Sequence, residues 1–393
     1  MMPATRQPPK DAELVAPGLD RAIRTVLLWG TYDLDKPRTR LLRDGLASIG
    51  VEVIEVHKEI WAGHADKSQL SRLRMIGLLL RVLLSYPRLI FRYLRAPDHD
   101  LVLVPYMGQF DVLILWPFAG LRRRPVVWDM FLSLYDTVVN DRQLAPARSI
   151  SGYGLYLLEW LGCRAAASVL LDTSAHATRM SQLFRLKPGK VDAVPVGAEP
   201  GTFKRLPART KTDAPTRLLF YGQISPLHGI DTILAAAVSD RGRRYHWRII
   251  GTGQDQALVD AARNAPDATH ISWDAWVPYD RLADEIAQAD ICLGVFGTSE
   301  KAASVVPNKV FQALFSGRSV ITRASPAMSE AFPDADAGLQ LVPPADPLAL
   351  LDAIGRLEQA GFPRLPPESL DFASPGQIAR QFCTRLAPLV KGR

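Results

Sequence analysis

The residues of this chain best placed to hold an anion lie in FGTSEKAASVVPNKVFQALFSG, from Phe296 to Gly317. An apolar run, ICLGVF, leads into the stretch, and another, SVIT, follows it. Pro307 suits the first turn of a helix, where its missing N–H would go unpaired anyway. The pattern therefore predicts a helix from about 307 to 316, stopped by Gly317. Backbone N–H groups around Val306, Asn308 and Lys309 would point out of that helix start. Such a placement favours an anion by about 0.3–1 kcal/mol, and by up to about 2 kcal/mol when partly buried. Lys309 adds a full positive charge, and Lys301 offers another from the loop. Gln312, one turn further in, can hydrogen-bond a pair of hydroxyls. Phe296 and Gly297, where the strand ends, are assigned to the same site. The alternative reading is an ordinary β-loop-α connection.

Two further glycine sites share this logic. In FYGQISPLHGIDTILAAA, Gly222 follows a strand and Gly229 opens a helix; in IIGTGQDQALVD, Gly251 and Gly253 follow a strand. Glycine at a strand end allows backbone to approach a phosphate closely. As a dinucleotide fingerprint the second site is incomplete, lacking its third glycine. Three successive strands ending in glycine at one sheet edge carry more weight than any one of them.

These loops need strands to hold them. Apolar, β-branched runs (TVLLWG, VEVIEV, DLVLVPY, PVVWD, SVLLD and VDAVPV, then RLLFYG, WRIIG, THISW, ICLGVF, SVIT and LQLV) alternate with segments of helical period. The helical segments are 38–49, 152–166, 175–186, 229–239, 256–264, 279–289 and 347–359. This alternation predicts α/β architecture: two doubly wound, Rossmann-like parallel-sheet domains facing a cleft, with strand carboxyl ends lining it. At 393 residues the chain exceeds the size of one growing core. The expected division is a flexible tail at 1–20, an acceptor-binding domain at 21–200, and a linker at 201–216. A donor-binding domain at 217–373 follows, then a terminal helix at 374–393 that can pack back on the first domain.

YGQISPLHGID, IIGTGQ, WVPYDRLADEIAQADICLGVFG and PNKVFQALFSGRSVIT, in this order and spacing, resemble the donor half of a family 4 (group 1) glycosyltransferase with the GT-B fold. WGTYDLDKPR, VPYMGQFDVL, VVWDMFLSLYDT, LLDTSAHA and VPVGAE are compatible with that family's cleft loops. The resemblance implies transfer of a sugar from a nucleotide diphosphate with retention, using neither cofactor nor metal. It places Gln312 where the family binds ribose with a Glu, and Ser304 where the family has another Glu. A basic pair that holds the diphosphate is here Gln223 and His228, so Lys301 and Lys309, with the helix start, are expected to replace it. On the acceptor side Gly30 can approach the diphosphate, and Asp129 stands near the place of a missing His. Asp136, Gln109 and Asp111 are further candidates, although a lone Asp after a strand is commonly a helix cap. His176 is expected to be structural, and the DxD of Asp33 and Asp35 to be solvated. The resemblance implies front-face attack, with the leaving diphosphate stabilised by charge and taking the acceptor's proton.

Between Lys67 and Arg95 there are seven basic residues and no acidic one. At 100° per residue, Arg74, Arg81, Arg88, Arg92 and Arg95 fall within about 60° of one another. Leu, Ile, Val and Phe fill the remaining face, and Pro87 is expected to kink or divide the helix. Such a helix reads as lying on an anionic membrane, with a lipid-linked or glycan acceptor and Arg74, Arg81 and Arg88 as acceptor-side contacts. The other reading is a buried helix pair with one solvated stripe. Basic residues interleaved with aliphatics argue against nucleic acid. No secretory signal or membrane-span run is evident, and Cys163, Cys292 and Cys383 form no metal or redox pair. The expectation is a cytoplasmic protein, peripheral on the inner membrane face. A hydrolysing nucleotide-sugar epimerase and a non-catalytic sugar-nucleotide binding module are the rival readings.

Overall fold

The computed structural model describes residues 22–34, 36–60, 72–334 and 337–391. The expected tail at 1–20, Asp35 and Lys67 lie outside the described residues, as does the side chain of Arg74.

Runs of Val, Leu and Ile form two sheets. The first contains β1 (Thr25–Gly30), β2 (Glu52–His57), β3 (Leu101–Val104), β4 (Val126–Asp129), β5 (Ser168–Leu171) and β6 (Val191–Ala193), in the order β2-β1-β3-β4-β5-β6. The second contains β7 (Arg217–Tyr221), β8 (His246–Ile250), β9 (Ile271–Asp274), β10 (Ile291–Leu293), β11 (Ser319–Arg323) and β12 (Leu339–Val342), in the order β12-β11-β10-β7-β8-β9. Every pairing is parallel. Helices on both faces bury β3, β4 and β5 at every residue, so these strands read as unbroken apolar runs. Strand order reverses between β1 and β3, and again between β7 and β10. A ligand of an open α/β sheet sits outside the strand ends at such a reversal.

The first half carries α1 (Pro37–Ser48), α2 (Arg72–Leu94), α3 (Gln109–Leu121), α4 (Ile150–Ala165) and α5 (Ser174–Leu183). The second carries α6 (Ile230–Val238), α7 (Gln256–Arg263), α8 (Tyr279–Gln288), α9 (Glu300–Ser304), α10 (Asn308–Phe315), α11 (Pro326–Ala331) and α12 (Pro347–Gln359). The last helices are α13 (Pro375–Leu386) and α14 (Pro388–Lys391). Buried Ile378, Ala379, Phe382 and Leu386 of α13 join Val26, Leu28, Leu42 and Leu46 in one apolar cluster of the first half. The chain thus crosses between the halves twice. The crossings touch at Gly197, where a Cβ would stand 1.9 Å from the carbonyl oxygen of Ala373.

Two elements differ from expectation. MGQFD reads as a cleft loop, yet Gln109 begins α3; that helix is apolar on nearly every side, so no 3.6-residue period marks it. Helix α2 runs undivided through Pro87, which occupies an exposed position on it.

Candidate active site

The reversal between β7 and β10 opens onto a cavity of about 440 Å³ between the halves, lined by Gly222, Gln223, His228, Val306, Pro307, Asn308, Lys309 and Gln312. It adjoins a second cavity of about 840 Å³ and shares with it Tyr221, Gly222, Gln223 and Tyr279. Helix α10 starts at the cavity wall. Its N-cap, Pro307, offers no side-chain hydrogen bond, and the Asn308 Oδ1 has no partner. This uncapped first turn stands where the sequence reading expects an anion to be held.

Lys309 is the most unusual group here. Its side chain is 7% exposed and its Nζ finds no hydrogen-bond acceptor. The ammonium lies 3.9 Å from the centre of the Phe220 ring, and burial pushes its pKa well below the usual lysine value. Gly222 makes room for it, since a Cβ there would stand 3.0 Å from the Lys309 Nζ. Lys301 sits on α9 rather than in a loop, buried, and donates to the Thr137 hydroxyl of the opposite half. Desolvation lowers its pKa, against the pull of Asp141 and Asp136. His228 is held neutral by burial and by the cations around it, and its Nδ1 lies 3.0 Å from the Ser225 Oγ.

Polar side chains stand where the two cavities meet, at Tyr221 and Tyr279. Gln312 accepts from the Tyr221 hydroxyl at 3.1 Å and donates to the Tyr279 hydroxyl at 3.2 Å. Tyr279 in turn donates to Glu199, which also holds Arg40. Asp33 is 4% exposed and lines this cavity, 3.9 Å from Lys36, so it is not the solvated residue expected.

Several glycines are required by close packing within the protein. Gly30 faces Asp111, not the cleft: a Cβ there would stand 2.1 Å from the Asp111 carboxylate. Gly251, on the wall of the larger cavity, packs on Gly222, where a Cβ would meet the carbonyl oxygen at 1.9 Å. Gly253 packs on Ile224, and Gly297 on Pro226 and Leu227. Phe296 is fully buried in the core of the second half.

The acceptor-side candidates are also committed elsewhere. Asp129 is fully buried and takes both Nε and Nη2 of Arg38, at 3.0 and 2.8 Å. Asp136 is buried and paired with Arg179 at 2.5 Å. Gln109 donates to Glu159 at 3.1 Å. Asp111 accepts from the Thr31 N–H and the Tyr86 hydroxyl, each at 2.7 Å, and desolvation raises its pKa to about 6. None of the four lines either cavity, because each meets a partner distant in sequence. His176 is structural as expected: it is buried, with Nδ1 2.6 Å from Asp172.

Sequence reasoning missed Thr137, Asp141, Arg142 and Asp172, all on the cavity wall. Arg142 had a signal. It is the only Lys or Arg between Arg124 and Arg148, in the loop that follows β4.

Arg81 and Arg88 are exposed on α2, away from both cavities. Helix α2 buries Leu78, Val82, Tyr86, Leu89 and Tyr93, but exposes Leu80 at 53%, Leu83 at 55%, Leu84 at 79% and Phe91 at 54%. Trp116 and Leu121 of α3 and Ile150, Tyr153 and Leu157 of α4 are exposed as well. Among the described residues no helix is long and apolar enough to cross a membrane.

Residues 215–359 match the family model of group 1 glycosyl transferases. The sucrose-phosphate synthase of Thermosynechococcus elongatus superposes with a TM-score of 0.60 at 16% identity, covering 94% of this chain and 97% of that one. The lipopolysaccharide outer core galactosyltransferase WaaB, in its apo form, gives 0.58 at 11% identity, with 93% and 99% covered. Anabaena HepE in complex with UDP and glucose gives 0.53 at 11% identity, with 94% and 97% covered. No curated protein matches the chain. The architecture is GT-B, and the second half is built like a group 1 glycosyl transferase domain.

Proposed function

We propose that this protein is a retaining, metal-independent glycosyltransferase that moves a sugar from a nucleotide diphosphate sugar to a lipid-linked acceptor, working peripherally on the inner face of the cytoplasmic membrane. The observation that carries the donor reading is the buried, unpartnered Lys309 ammonium at the uncapped start of α10. A buried cation without a counter-charge is costly, and a diphosphate would satisfy it together with the helix N–H groups. The larger cavity next door, edged by Tyr279, Glu199 and Arg40, has room for a nucleoside. HepE, of the same architecture, was crystallised with UDP and glucose, which agrees with this assignment.

With Asp129, Asp136 and Asp111 each bound to a partner, the chemistry falls to positioning and charge. The bond from the anomeric carbon to the diphosphate oxygen breaks while Lys309, Lys301 and the α10 N–H groups hold the growing negative charge. The acceptor oxygen bonds to the same face, and its proton passes to the leaving phosphate oxygen. The acceptor reading rests on α2, where exposed leucines lie beside the arginine stripe. Arginine near an anionic surface contributes about 1 kcal/mol each.

The test is nucleotide release from a panel of nucleotide diphosphate sugars, with and without a bacterial lipid extract. Release that requires lipid, with labelled sugar moving into the lipid phase, is the expected result. Release without acceptor indicates the epimerase, and no release on any donor with lipid present refutes an enzyme acting on these donors.

A further inference from the structure

The diphosphate pocket of the second half has a neutral residue, Gln223, two positions past the end of β7, where the strand end meets the cavity. The first half reaches this residue. Buried Glu159 of α4 accepts from the Gln109 amide, the Ser133 hydroxyl and the backbone N–H groups of Leu134 and Tyr135, and so pins the start of the loop after β4. A π-helical turn, Asp136–Asp141, follows and carries that loop across the cleft. Thr137 meets Lys301, Asp141 accepts from the Ser299 hydroxyl at 2.9 Å, and Arg142 comes next.

Arg142 donates through Nη2 to the Gln223 Oε1, and its own carbonyl accepts from the Gln254 amide at 3.1 Å. Among the described residues no ion pair joins Arg142 to a carboxylate. Its guanidinium shares the cavity with Lys301, Lys309 and His228, and it lies near enough to Lys301 and His228 to disfavour their protonation. A cation this close to two others, held only by a neutral amide, gains much from an anion. Phosphate offers bidentate, charge-assisted hydrogen bonds, which are roughly twice as strong as neutral ones.

We propose that Arg142 binds the diphosphate of the donor, delivered across the cleft by the first half, with Gln223 as its resting partner in the unliganded protein. The diphosphate site is then complete only when the halves are closed on each other. An arginine at position 223 would repel Arg142, which accounts for a neutral side chain there. This inference rests on the donor reading given above, but it makes a separate claim about one residue.

The experiment is titration calorimetry of the full chain with UDP, GDP, ADP and dTDP, carried on with the tightest binder and its parent nucleoside. Arg142→Ala should weaken the diphosphate by 10- to 100-fold and the nucleoside by less than twofold, with Arg142→Lys between wild type and Arg142→Ala. Adding Gln223→Arg to Arg142→Ala should restore affinity to within about fivefold, since the second guanidinium then occupies the vacated space. Arg142 is on a surface loop, and a melting temperature within a few degrees of wild type verifies the fold. If Arg142→Ala binds the diphosphate as wild type does while Lys309→Met does not, the Arg142 assignment is overturned and the donor site stands. If wild type binds none of the four diphosphates, both fall.

Discussion

Replacing Lys309 by Met should move stability and affinity in opposite directions. The methionine keeps the packing over Phe220 and removes an ammonium that has no hydrogen-bond acceptor. A buried polar group left unsatisfied costs about 1–3 kcal/mol, so the unliganded variant should melt a few degrees higher than wild type. The same change removes one charge-assisted contact to the diphosphate, worth about 1.5–3 kcal/mol, so the dissociation constant should rise roughly 10- to 150-fold. The pH dependence adds a signature. Burial pushes the free Lys309 pKa well down, and a bound diphosphate raises it again, so binding takes up a proton. Wild-type affinity should therefore fall as pH rises through the range where free Lys309 loses its proton, and calorimetric enthalpy should depend on the buffer. The variant should show neither effect at this site. Differential scanning fluorimetry and calorimetry in two buffers measure all three quantities. A variant that melts lower than wild type and binds diphosphate equally well would refute the assignment.

Asp129→Ala leaves the Arg38 guanidinium buried and unpaired, which should cost about 3–5 kcal/mol. A drop in melting temperature, with little change in diphosphate affinity for the folded fraction, is the expected readout. Asp111 has a folded pKa of about 6 against an ordinary 3.8, so the folded protein favours the protonated form. Its contribution is fully present below the ordinary value and is lost, by about 3 kcal/mol, as pH rises through 6. Asp111→Asn should thus gain on wild type in chemical denaturation between pH 4 and 7, and a pH-independent difference would count against this. Substituting Leu80, Leu84 and Phe91 by Gln should reduce co-sedimentation with vesicles containing anionic lipid at least tenfold without lowering the melting temperature, because all three are exposed.

The sheets were readable because most strands are short apolar runs and most helices between them have one buried face. Helix α3 was not, since a segment apolar on every side carries no period. The start of α10 was legible from Pro307 and Gly317, whose backbone needs are local; Gly317 indeed has φ of +72°. The role of Gly30 was not, because the carboxylate it accommodates belongs to Asp111, 81 positions further on. Asp129 and Asp136 followed the same course. An acidic residue in a cleft-facing segment looks available until the fold supplies its arginine, Arg38 or Arg179. Glu199 was hidden for the converse reason, since Tyr279 reaches it from the other half, and Arg142, although isolated in its loop, likewise finds its partner Gln223 only across the cleft.

The contact of Gly197 with Ala373 has a mechanical meaning. Two covalent tethers that run side by side act as one door hinge with two pins. Relative sliding or twisting of the lobes would disturb that close contact, whereas a swing about it would leave it intact. Severing the chain after residue 373 would remove one pin and also strip Phe382 and Leu386 from the lobe they cover. The lobe and the tether that returns to it therefore share one apolar cluster.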